Sequence, residues 1–270
     1  AYYLKVPIGH VEAGLRTHDK YAPFPEEMNR RFVDCLADHC FAPTPQARMN
    51  LLREGVPEDR ISLTGNTGID ALLGMLERMR ATGFVPAGLD GAALARKWLV
   101  LVTAHRRESV ESGGLARICE GLRALAEACP DASIVYPVHP NPPARRQVLD
   151  QLSGVPNVHL TDPLDYRSFI YLMGKADVIL TDSGGVQEEA PSLNKPVLVM
   201  RDVTERGEAV DLGGAELVGT HASRIVQRTL ALLEQAHPVR LDANPFGDGR
   251  AAERIVRVIL ERTRAAHPHA

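Results

Sequence analysis

Residues 177–189 read Asp-Val-Ile-Leu-Thr-Asp-Ser-Gly-Gly-Val-Gln-Glu-Glu, and they form the most informative segment of the sequence. The run from Asp177 to Thr181 is mostly apolar, as expected of a parallel strand that is buried on both faces. It is followed by two adjacent glycines, Gly184 and Gly185, and then by a segment with a helical pattern. A strand, a glycine-containing turn and a helix in this order are typical of the ligand-binding turns of doubly wound α/β proteins.

The same stretch has the chemistry of an anion cradle. Gly184 and Gly185 let a ligand approach the backbone closely, and the free N–H groups at the start of a helix favour an anion. Ser183 adds a hydroxyl donor, and Glu189 lies where a carboxylate can accept both hydroxyls of a ribose. Without its flanking strand and helix, Ser-Gly-Gly would more often be a plain tight turn. In this context the segment predicts a site for a nucleotide diphosphate.

The rest of the chain alternates short apolar runs with helical patterns, which predicts a doubly wound α/β architecture. Helices are predicted to open at Pro25 and Pro45, and a last helix is predicted from Arg250 to Arg262. Seven strands are predicted: Pro7 to Val11, Ile61 to Thr64, Leu99 to Thr103, Ser133 to Val138, Val158 to Leu160, Asp177 to Thr181 and Pro196 to Met200.

The chain is predicted to contain two domains. Residues 81 to 91 collect Thr, Gly, Pro, Ala and Asp without a sustained period, which is typical of a linker. The predicted segments are the remainder of an N-terminal Rossmann-like domain (1–80), a linker (81–97), a C-terminal nucleotide-binding Rossmann-like domain (98–249), and a C-terminal helix and tail (250–270).

The composition is that of an ordinary globular protein, with 44% hydrophobic residues, 24% charged residues and a net charge of -3 over 270 residues. A mildly acidic chain gives no electrostatic reason to expect nucleic acid or an anionic membrane as a partner. The apolar runs are too short to cross a bilayer and nothing signals export, so a cytoplasmic location is expected. The four cysteines show no CxxC pair and are interpreted as free, partly buried thiols.

Two further clusters follow predicted strands. His105 precedes Arg106 and Arg107, so donors and positive charge converge at the carboxyl end of a strand, where open α/β sheets bind ligands. A basic helix start exposed to solvent is the competing interpretation. His139 lies in a loop that is stiffened by three prolines, and it is either part of a site or a capping residue.

The first domain contributes carboxylates. Glu12 ends a predicted strand, and Glu26 and Glu27 open the next helix. Adjacent helix residues point about 100° apart, so Glu26 and Glu27 cannot both face one atom. One of them is expected to join Glu12 in a site for proton removal and return, and the other to pair with Arg30 or Arg31. A solvated helix start with acidic residues in its first turn fits Glu27 equally well.

These clusters, in this order, resemble those of the bacterial, non-hydrolysing UDP-N-acetylglucosamine 2-epimerases. The resemblance covers essentially the whole chain and implies an α/β, GT-B-like fold of two doubly wound Rossmann-like domains, with UDP-sugar bound in the cleft between them. The first of these domains is expected to be incomplete. The matching segments are His10 to Thr17, Pro25 to Arg30, Thr64 to Thr67, His105 to Glu108, Pro137 to His139, Ser183 to Pro191, Arg201 to Arg206, Leu217 to Thr220 and Asn244 to Gly249.

The resemblance implies an isomerase that reversibly inverts C2 of UDP-N-acetylglucosamine to give UDP-N-acetylmannosamine. In such enzymes UDP is eliminated to leave 2-acetamidoglucal and is re-added after C2 is protonated from the other face. No metal and no redox cofactor are expected. The resemblance also implies a homodimer, and a supply of precursors for cell-surface polysaccharide.

Roles for individual residues follow from the resemblance. Glu12 and Glu26 are the acid/base carboxylates, and His105 contacts the diphosphate. The remaining substrate-binding residues are Ser183, Gly184 and Gly185 around the diphosphate, Arg206 near the same charge, Glu189 at the ribose, and Leu164 and Phe169 beside the uracil. Arg106 and His139 are implied to lie near a second, allosteric UDP-N-acetylglucosamine.

The chain departs from the family pattern at three places. Gly207 replaces the proline of Thr-Glu-Arg-Pro-Glu, which loosens the loop, and Ala104 replaces a glycine. The chain opens close to His10, so we expect that it is cut inside its first domain. The segment that usually precedes this point carries a glycine-rich turn, an arginine, a lysine and a catalytic aspartate. A chain without it is expected to fold poorly over residues 1–75 and to turn over little, while still binding UDP weakly.

Three rival interpretations are kept. A GT-B glycosyltransferase shares the fold and the nucleotide site but gives no reason for the Glu12 and Glu26 motifs. A hydrolysing epimerase would release free N-acetylmannosamine, and it fits the segment from His10 to Thr17 less well. An inactive UDP-sugar-binding fragment is the third alternative.

Overall fold

The computed structural model describes residues 1–86, 91–94, 96–106, 113–235 and 243–266. The chain divides into two compact units. Unit 1 comprises Ala1–Glu77 and Ala243–Ala270, and unit 2 comprises Arg78–Asp242. The predicted boundaries differ from this division, because residues 78–97 belong to unit 2 and the terminal helix returns to unit 1.

Unit 1 is built on a three-stranded parallel sheet in the order β1-β2-β3. Its strands are β1 (Gly9–Val11), β2 (His39–Ala42) and β3 (Ile61–Leu63). Helices α1 (Glu26–Leu36) and α2 (Pro45–Arg53) connect them, and a short 3-10 turn (Glu58–Arg60) leads into β3. The small core of the unit is formed by Ala13, Leu15, Ala37, Cys40, Ala42, Ala47, Leu51 and Ile61.

The terminal helix is attached to unit 1 by specific hydrogen bonds. Helix α3 (Thr67–Thr82) leaves unit 1, and in its first turn Asp70 accepts from the N–H groups of Ala251 and Ala252. These are the first residues of the terminal helix, numbered α10 here (Ala251–Ala266). A carboxylate on otherwise unpaired first-turn N–H groups is a stable helix cap, which explains why this segment belongs to unit 1.

Unit 2 contains a six-stranded, all-parallel sheet in the order β6-β5-β4-β7-β8-β9. Its strands are β4 (Trp98–Thr103), β5 (Ala132–Pro137), β6 (Val158–Thr161), β7 (Val178–Thr181), β8 (Val197–Val199) and β9 (Ala215–Leu217). Counted within the unit, this order is 3-2-1-4-5-6, which is the Rossmann order. The order reverses between β4 and β7, the two strands that precede the predicted ligand clusters.

Helices cover the sheet of unit 2 and supply its core. They are α4 (Gly114–Ala128), α5 (Pro142–Leu152), α6 (Tyr166–Lys175), α7 (Gly184–Glu189), α8 (Gly207–Asp211) and α9 (Ala222–Glu234), with short 3-10 turns at Gly91–Leu94 and Ala190–Leu193. Strands β4, β5, β7 and β8 are almost wholly buried, as their uninterrupted apolar sequences predict.

All seven predicted strands are present, and two further strands were not predicted. β2 contains the polar residue His39, and β9 is only three residues long and contains Glu216, so neither has the continuous apolar run used to find the others. Both extend their sheets by parallel pairing, β2 with β1 and β3, and β9 with β8. Within the described residues, no helix is long and apolar enough to cross a membrane.

The four cysteines are all unpaired, as predicted. Cys40 lies in β2 and Cys119 in α4, and both are fully buried. Burial raises the pKa of each of these two thiols to about 12, which keeps them protonated and unreactive at neutral pH.

Candidate functional site

The glycine turn follows β7 and carries its site residues into the first turn of α7. Ser183 donates its backbone N–H to the Thr181 hydroxyl at 2.9 Å, which fixes the turn immediately after the strand. A methyl group on Gly184 would lie 2.6 Å from the Cζ atom of Arg206, whereas a methyl group on Gly185 would meet no atom of the described residues within 4 Å. A side chain at position 184 would therefore displace the Arg206 guanidinium, and Gly185 faces open space.

Arg206 reaches the turn from the loop that follows β8. It is buried, and its Nε atom donates to Glu188 at 2.8 Å while its Nη1 atom pairs with Glu205. Glu205 is in turn paired with Arg201 at 3.1 Å. The guanidinium thus supports the turn in a fixed position, and its charge is shared with two buried carboxylates.

His105 follows β4, which is the neighbour of β7 in the sheet. The backbone N–H groups of His105 and Arg106 both donate to the same carboxylate oxygen of Asp182, at 2.7 and 2.8 Å. The imidazole of His105 stacks on that of His139, with ring centroids 5.0 Å apart and planes inclined by 10°. The structure therefore brings together three predicted site residues, His105, Arg106 and His139, beside the glycine turn.

The charge environment of His105 is mixed. Burial lowers the pKa of His105, and the neighbouring His139 and Arg106 lower it further, whereas the carboxylate of Asp182 raises it. The net direction is downward, so the ring is mostly neutral at neutral pH. A nearby anion would favour the protonated form.

The loop before His105 is anchored from the sheet. The buried hydroxyl of Tyr136 donates to the Ala104 carbonyl at 2.7 Å. Ala104, which replaces the glycine of the family pattern, is buried and does not have a positive φ. The replacement therefore costs no backbone strain.

Gly207 is the first residue of α8, with Arg206 as its N-cap. The first position of a helix is where proline is tolerated best, so the proline of the family pattern would fit this turn. The structure thus accommodates either residue there.

A third part of the site lies at the start of α6. The hydroxyl of Tyr166 donates to the Glu189 carboxylate at 2.8 Å, which joins the start of α6 to the end of α7. Leu164 and Phe169 precede and follow Asp165 in the chain, and both are half-buried. The Asp165 side chain caps the start of α6. Burial raises the pKa of Glu189, and the hydrogen bond from Tyr166 opposes that shift.

In unit 1, Glu12 occupies an unusual backbone position. It follows β1 with a φ of 64°, a left-handed conformation that is uncommon for residues other than glycine. Its carboxylate accepts from the side-chain amide of Asn66 at 2.9 Å. The amide orientation is fixed, because the Asn66 oxygen accepts from the backbone N–H of Gly68 at 2.9 Å. Strained residues held in this way concentrate at functional sites.

Burial and pairing distinguish Glu27 from Glu26. Glu27 is fully buried and accepts from the backbone N–H groups of Thr17 and His18 at 3.0 and 3.2 Å. It also lies 3.5 Å from the guanidinium of Arg31. Glu27 is therefore structural, and half-buried Glu26 is the carboxylate of this pair that fits a functional role.

A buried ionic network holds the segment after Glu12. Arg16 donates to Asp34 at 2.5 Å and to Glu54 at 2.7 Å, and His10 lies 2.5 Å from the second Asp34 oxygen. Burial alone would raise the pKa of Asp34, but the hydrogen bonds from His10 and Arg16 bring it below its usual value.

Asp34→Ala is expected to destabilise unit 1 by about 3 kcal/mol, because it leaves Arg16 buried with one partner fewer. The matched control, Glu58→Ala, removes an exposed pair with Arg48 in the same unit and should cost less than about 1 kcal/mol. The pKa of Asp34 is lowered in the folded protein. The stability that ionised Asp34 contributes is therefore fully present above the ordinary aspartate pKa, and it is lost as the pH falls through the lowered pKa of the folded state. Denaturant unfolding and hydrogen exchange of residues 9–63 measure both effects, and equal losses in the two variants would contradict the network's role.

Three residues of the site received no role from the sequence. Asp182 lies inside the segment 177–189, Asn66 lies within Thr64 to Thr67, and Tyr166 lies between the predicted uracil contacts Leu164 and Phe169. Asp182 directly follows β7, whose pairing with β4 would have placed it beside His105. For Asn66 and Tyr166 no sequence signal was available, since each acts through a contact distant in the chain. Among the described residues, no group of three His, Cys, Asp or Glu side chains is placed to hold a metal ion.

The order of the unit 2 sheet and the residues at its switch point define a nucleotide-binding α/β protein of the Rossmann class. The family described as UDP-N-acetylglucosamine 2-epimerase matches residues 1–260. The chain belongs to this family, and the predicted family and isomerase class are confirmed.

Individual relatives agree with this assignment. The UDP-N-acetylglucosamine 2-epimerase of Yersinia pestis is 50% identical over 264 residues, which cover 96% of this chain and 70% of that protein. The solved Neisseria meningitidis UDP-GlcNAc 2-epimerase bound to UDP-GlcNAc is 42% identical, with a TM-score of 0.87, over 97% of this chain and 71% of that one. A Staphylococcus aureus protein solved with UDP has 42% identity and a TM-score of 0.88 over 98% and 70% of the two chains. The predicted GT-B-like α/β fold is confirmed by these structures.

Proposed function

We propose that the chain catalyses the reversible conversion of UDP-N-acetylglucosamine to UDP-N-acetylmannosamine. The observation that carries this proposal is the convergence of the glycine turn, Arg206 and His105 at the switch point between β4 and β7. Ligands of open α/β sheets bind at this point, outside the carboxyl ends of the strands. Membership of the epimerase family supports the same substrate and reaction.

UDP is assigned to unit 2. The N–H groups of the first turn of α7, with the Ser183 hydroxyl, suit a diphosphate because they have no partner within the helix. His105 lies beside this turn and Arg206 supports it from within. Glu189 is assigned to the ribose hydroxyls, and the half-buried Leu164 and Phe169 to the uracil ring.

The chemistry at C2 is assigned to Glu12 and Glu26 of unit 1. One carboxylate removes the C2 proton as the C1–O bond breaks, so the electron pair of the C2–H bond forms the C1–C2 double bond and UDP leaves with the bonding pair. Return of a proton to the opposite face of C2 and re-addition of UDP at C1 complete the inversion. Donors around the diphosphate stabilise the negative charge on departing UDP.

Three finer proposals rest on the resemblance and on local geometry. Arg106 and His139 lie beside His105 and are assigned to a second UDP-N-acetylglucosamine that activates the enzyme. A homodimer is proposed on the family resemblance alone. A cytoplasmic location, where nucleotide sugars are at hand, completes the proposal.

The test is proton exchange at C2. The chain, and a version extended at its N-terminus to the full length of the relatives, are incubated with UDP-N-acetylglucosamine in D₂O and followed by NMR. We expect the extended version to give deuterium at C2 and UDP-N-acetylmannosamine without free N-acetylmannosamine, and the chain alone to turn over little. If neither protein exchanges C2, the epimerase proposal fails, and sugar transfer to an added acceptor would then support a glycosyltransferase.

The affinity for UDP is expected to depend on the ionisation of Glu189. Because burial raises the pKa of Glu189, mild acid protonates this carboxylate, and a neutral carboxyl accepts hydroxyl hydrogen bonds less strongly. The loss is about fivefold, equivalent to roughly 1 kcal/mol. Calorimetric titrations from mildly acidic to neutral pH measure it.

The matched control is Glu189→Gln, which retains hydrogen-bonding atoms but cannot ionise. The ionisation of the UDP phosphates and of His105 affects both proteins alike, so the difference between their pH profiles isolates Glu189. Parallel profiles for the two proteins would show that the Glu189 carboxylate does not hold the ribose.

A further inference from the structure

Asp182 joins two parts of the site that are far apart in sequence. It directly follows β7, it is fully buried, and it contacts residues 76 and 77 positions earlier in the chain. Burial of a carboxylate is costly unless hydrogen bonds and charge compensate it. The contacts of Asp182 therefore indicate what this residue does.

One oxygen of Asp182 holds the backbone after β4. Its Oδ2 atom accepts from the N–H groups of both His105 and Arg106, at 2.7 and 2.8 Å. The Arg106 side chain adds a bond from its Nε atom to the Asp182 carbonyl at 3.3 Å. Two N–H groups on one carboxylate oxygen fix the direction in which this turn leaves the sheet.

The other oxygen faces the ring of His105. Asp182 Oδ1 is buried, has no hydrogen-bond partner among the described residues, and lies 3.4 Å from the Nδ1 atom of His105. A carboxylate in this position favours a proton on Nδ1 and stabilises the imidazolium when Nε2 is also protonated. The ring is faced by His139, after β5, and by Arg106 of its own turn. The charge of Arg106 opposes that protonation, and so would a charge on His139.

We propose that Asp182 is a positioning residue that fixes the turn of His105 and Arg106 and orients the His105 imidazole with its Nδ1–H towards the carboxylate. The Nε2 atom then faces the diphosphate, and it donates a hydrogen bond to the anion when it is protonated. This inference rests on the proposed function only in placing the diphosphate at His105. The orientation of the ring is testable without any substrate.

The first experiment is ¹⁵N NMR of the histidine rings in the unmodified chain, with the His105 signal assigned by its loss in His105→Gln. We expect neutral His105 to carry its proton on Nδ1. A neutral ring protonated on Nε2 would overturn the orientation, and the proton position itself is read on the unmodified chain.

The second experiment compares Asp182→Asn with Asp177→Asn. Asp177 is the matched control, because its carboxylate also joins β7 to β4, accepting from the Leu99 N–H at 2.8 Å at the opposite end of the strands. The amide oxygen that Asp182→Asn introduces can still accept both backbone N–H groups, but the negative charge is gone. We expect the titration midpoint of His105 to fall by about one pH unit in Asp182→Asn and to stay unchanged in Asp177→Asn. Equal midpoints in the two variants would refute the proposal.

The third measurement is the affinity for UDP. We expect a loss of about tenfold in Asp182→Asn and no loss in Asp177→Asn, since only the former alters a charge-assisted contact to the diphosphate. Equal losses would show that Asp182 is merely structural. If the unmodified chain does not bind UDP, the proposed function fails, whereas the ring orientation and the His105 midpoint still decide the inference.

Discussion

Replacing Glu12 with glutamine is expected to slow deuterium exchange at C2 of the substrate by about 10²–10⁴-fold, the usual contribution of a general acid or base. Glutamine keeps the shape of the side chain, and its carbonyl oxygen can still accept from the Asn66 amide, as the carboxylate does now at 2.9 Å. It cannot remove a proton. The loss should therefore fall on turnover, with UDP affinity unchanged because UDP is assigned to unit 2.

The control for this variant is Glu58→Gln. Glu58 is an exposed glutamate of unit 1 that pairs with Arg48 and has no assigned role. Its variant should exchange C2 at the original rate. If Glu12→Gln retains more than about a tenth of the exchange rate, the base lies elsewhere, and Glu26→Gln becomes the variant to measure.

The fixed left-handed backbone conformation of Glu12 is a reason to expect that Glu12→Gln slows exchange at C2. A left-handed backbone costs a non-glycine residue roughly 1 kcal/mol or more, so the surrounding structure must maintain it. Asn66 is nearly inaccessible to solvent and is itself tied to the returning C-terminal segment, through its N–H to the Phe246 carbonyl at 2.6 Å. A carboxylate fixed in this way loses little entropy when the substrate binds.

The sheet of unit 2 was predictable where strands are continuous apolar runs. β4 and β7 are buried on both faces, so their sequences contain little but apolar residues, and the turns after them could be found by composition alone. β2 and β9 were not predictable in this way, since His39 and Glu216 interrupt the pattern. Their identity as strands depends on pairing with neighbours that are distant in the chain.

The sequence predicted which residues belong to the candidate site, but not which of them contact one another. Ser183, His105 and Glu12 each end a strand or open a helix, and local sequence shows this. The hydrogen bond between Asp182 and His105 spans 77 positions, and that between Asn66 and Glu12 spans 54. Such contacts arise from the order of strands in the sheets, which a single sequence does not state.

Arg206 is another residue whose contacts could not be predicted from the sequence. The sequence identified it as a positive charge beside the leaving UDP, but not that Glu188 and Glu205 pair with it inside the protein. With both partners, the guanidinium is a fixed support of the glycine turn. This arrangement gives the two glycines of the turn different roles and leads to the second large effect.

Gly184→Ala and Gly185→Ala are both expected to weaken UDP binding, but only Gly184→Ala is expected to lower stability. An alanine methyl at position 184 would lie 2.6 Å from Cζ and Nη1 of Arg206, and the guanidinium must move away from its buried partners to relieve this contact. Disrupting such a pair costs about 3–5 kcal/mol, so Gly184→Ala should lower the unfolding midpoint strongly and lose UDP binding as a consequence.

At position 185 the added methyl meets no atom within 4 Å in the part of the chain that the structure describes, so the packing there is undisturbed. Alanine is also favoured over glycine within a helix by up to about 1 kcal/mol, so stability should be kept or slightly raised. The methyl projects into the open space assigned to the diphosphate, and the loss of one charge-assisted hydrogen bond there weakens UDP binding by about tenfold to a hundredfold.

The pair separates a structural glycine from a ligand-contacting one within a single turn. Thermal unfolding and UDP calorimetry on both variants give four results, and the expected pattern is a large stability loss only in Gly184→Ala and an affinity loss at full stability only in Gly185→Ala. If Gly185→Ala binds UDP normally, the diphosphate does not approach the turn from this side, and the assigned cradle is wrong. If Gly184→Ala is as stable as the original chain, the guanidinium of Arg206 can yield without cost, and its pairing with Glu188 does not hold the turn.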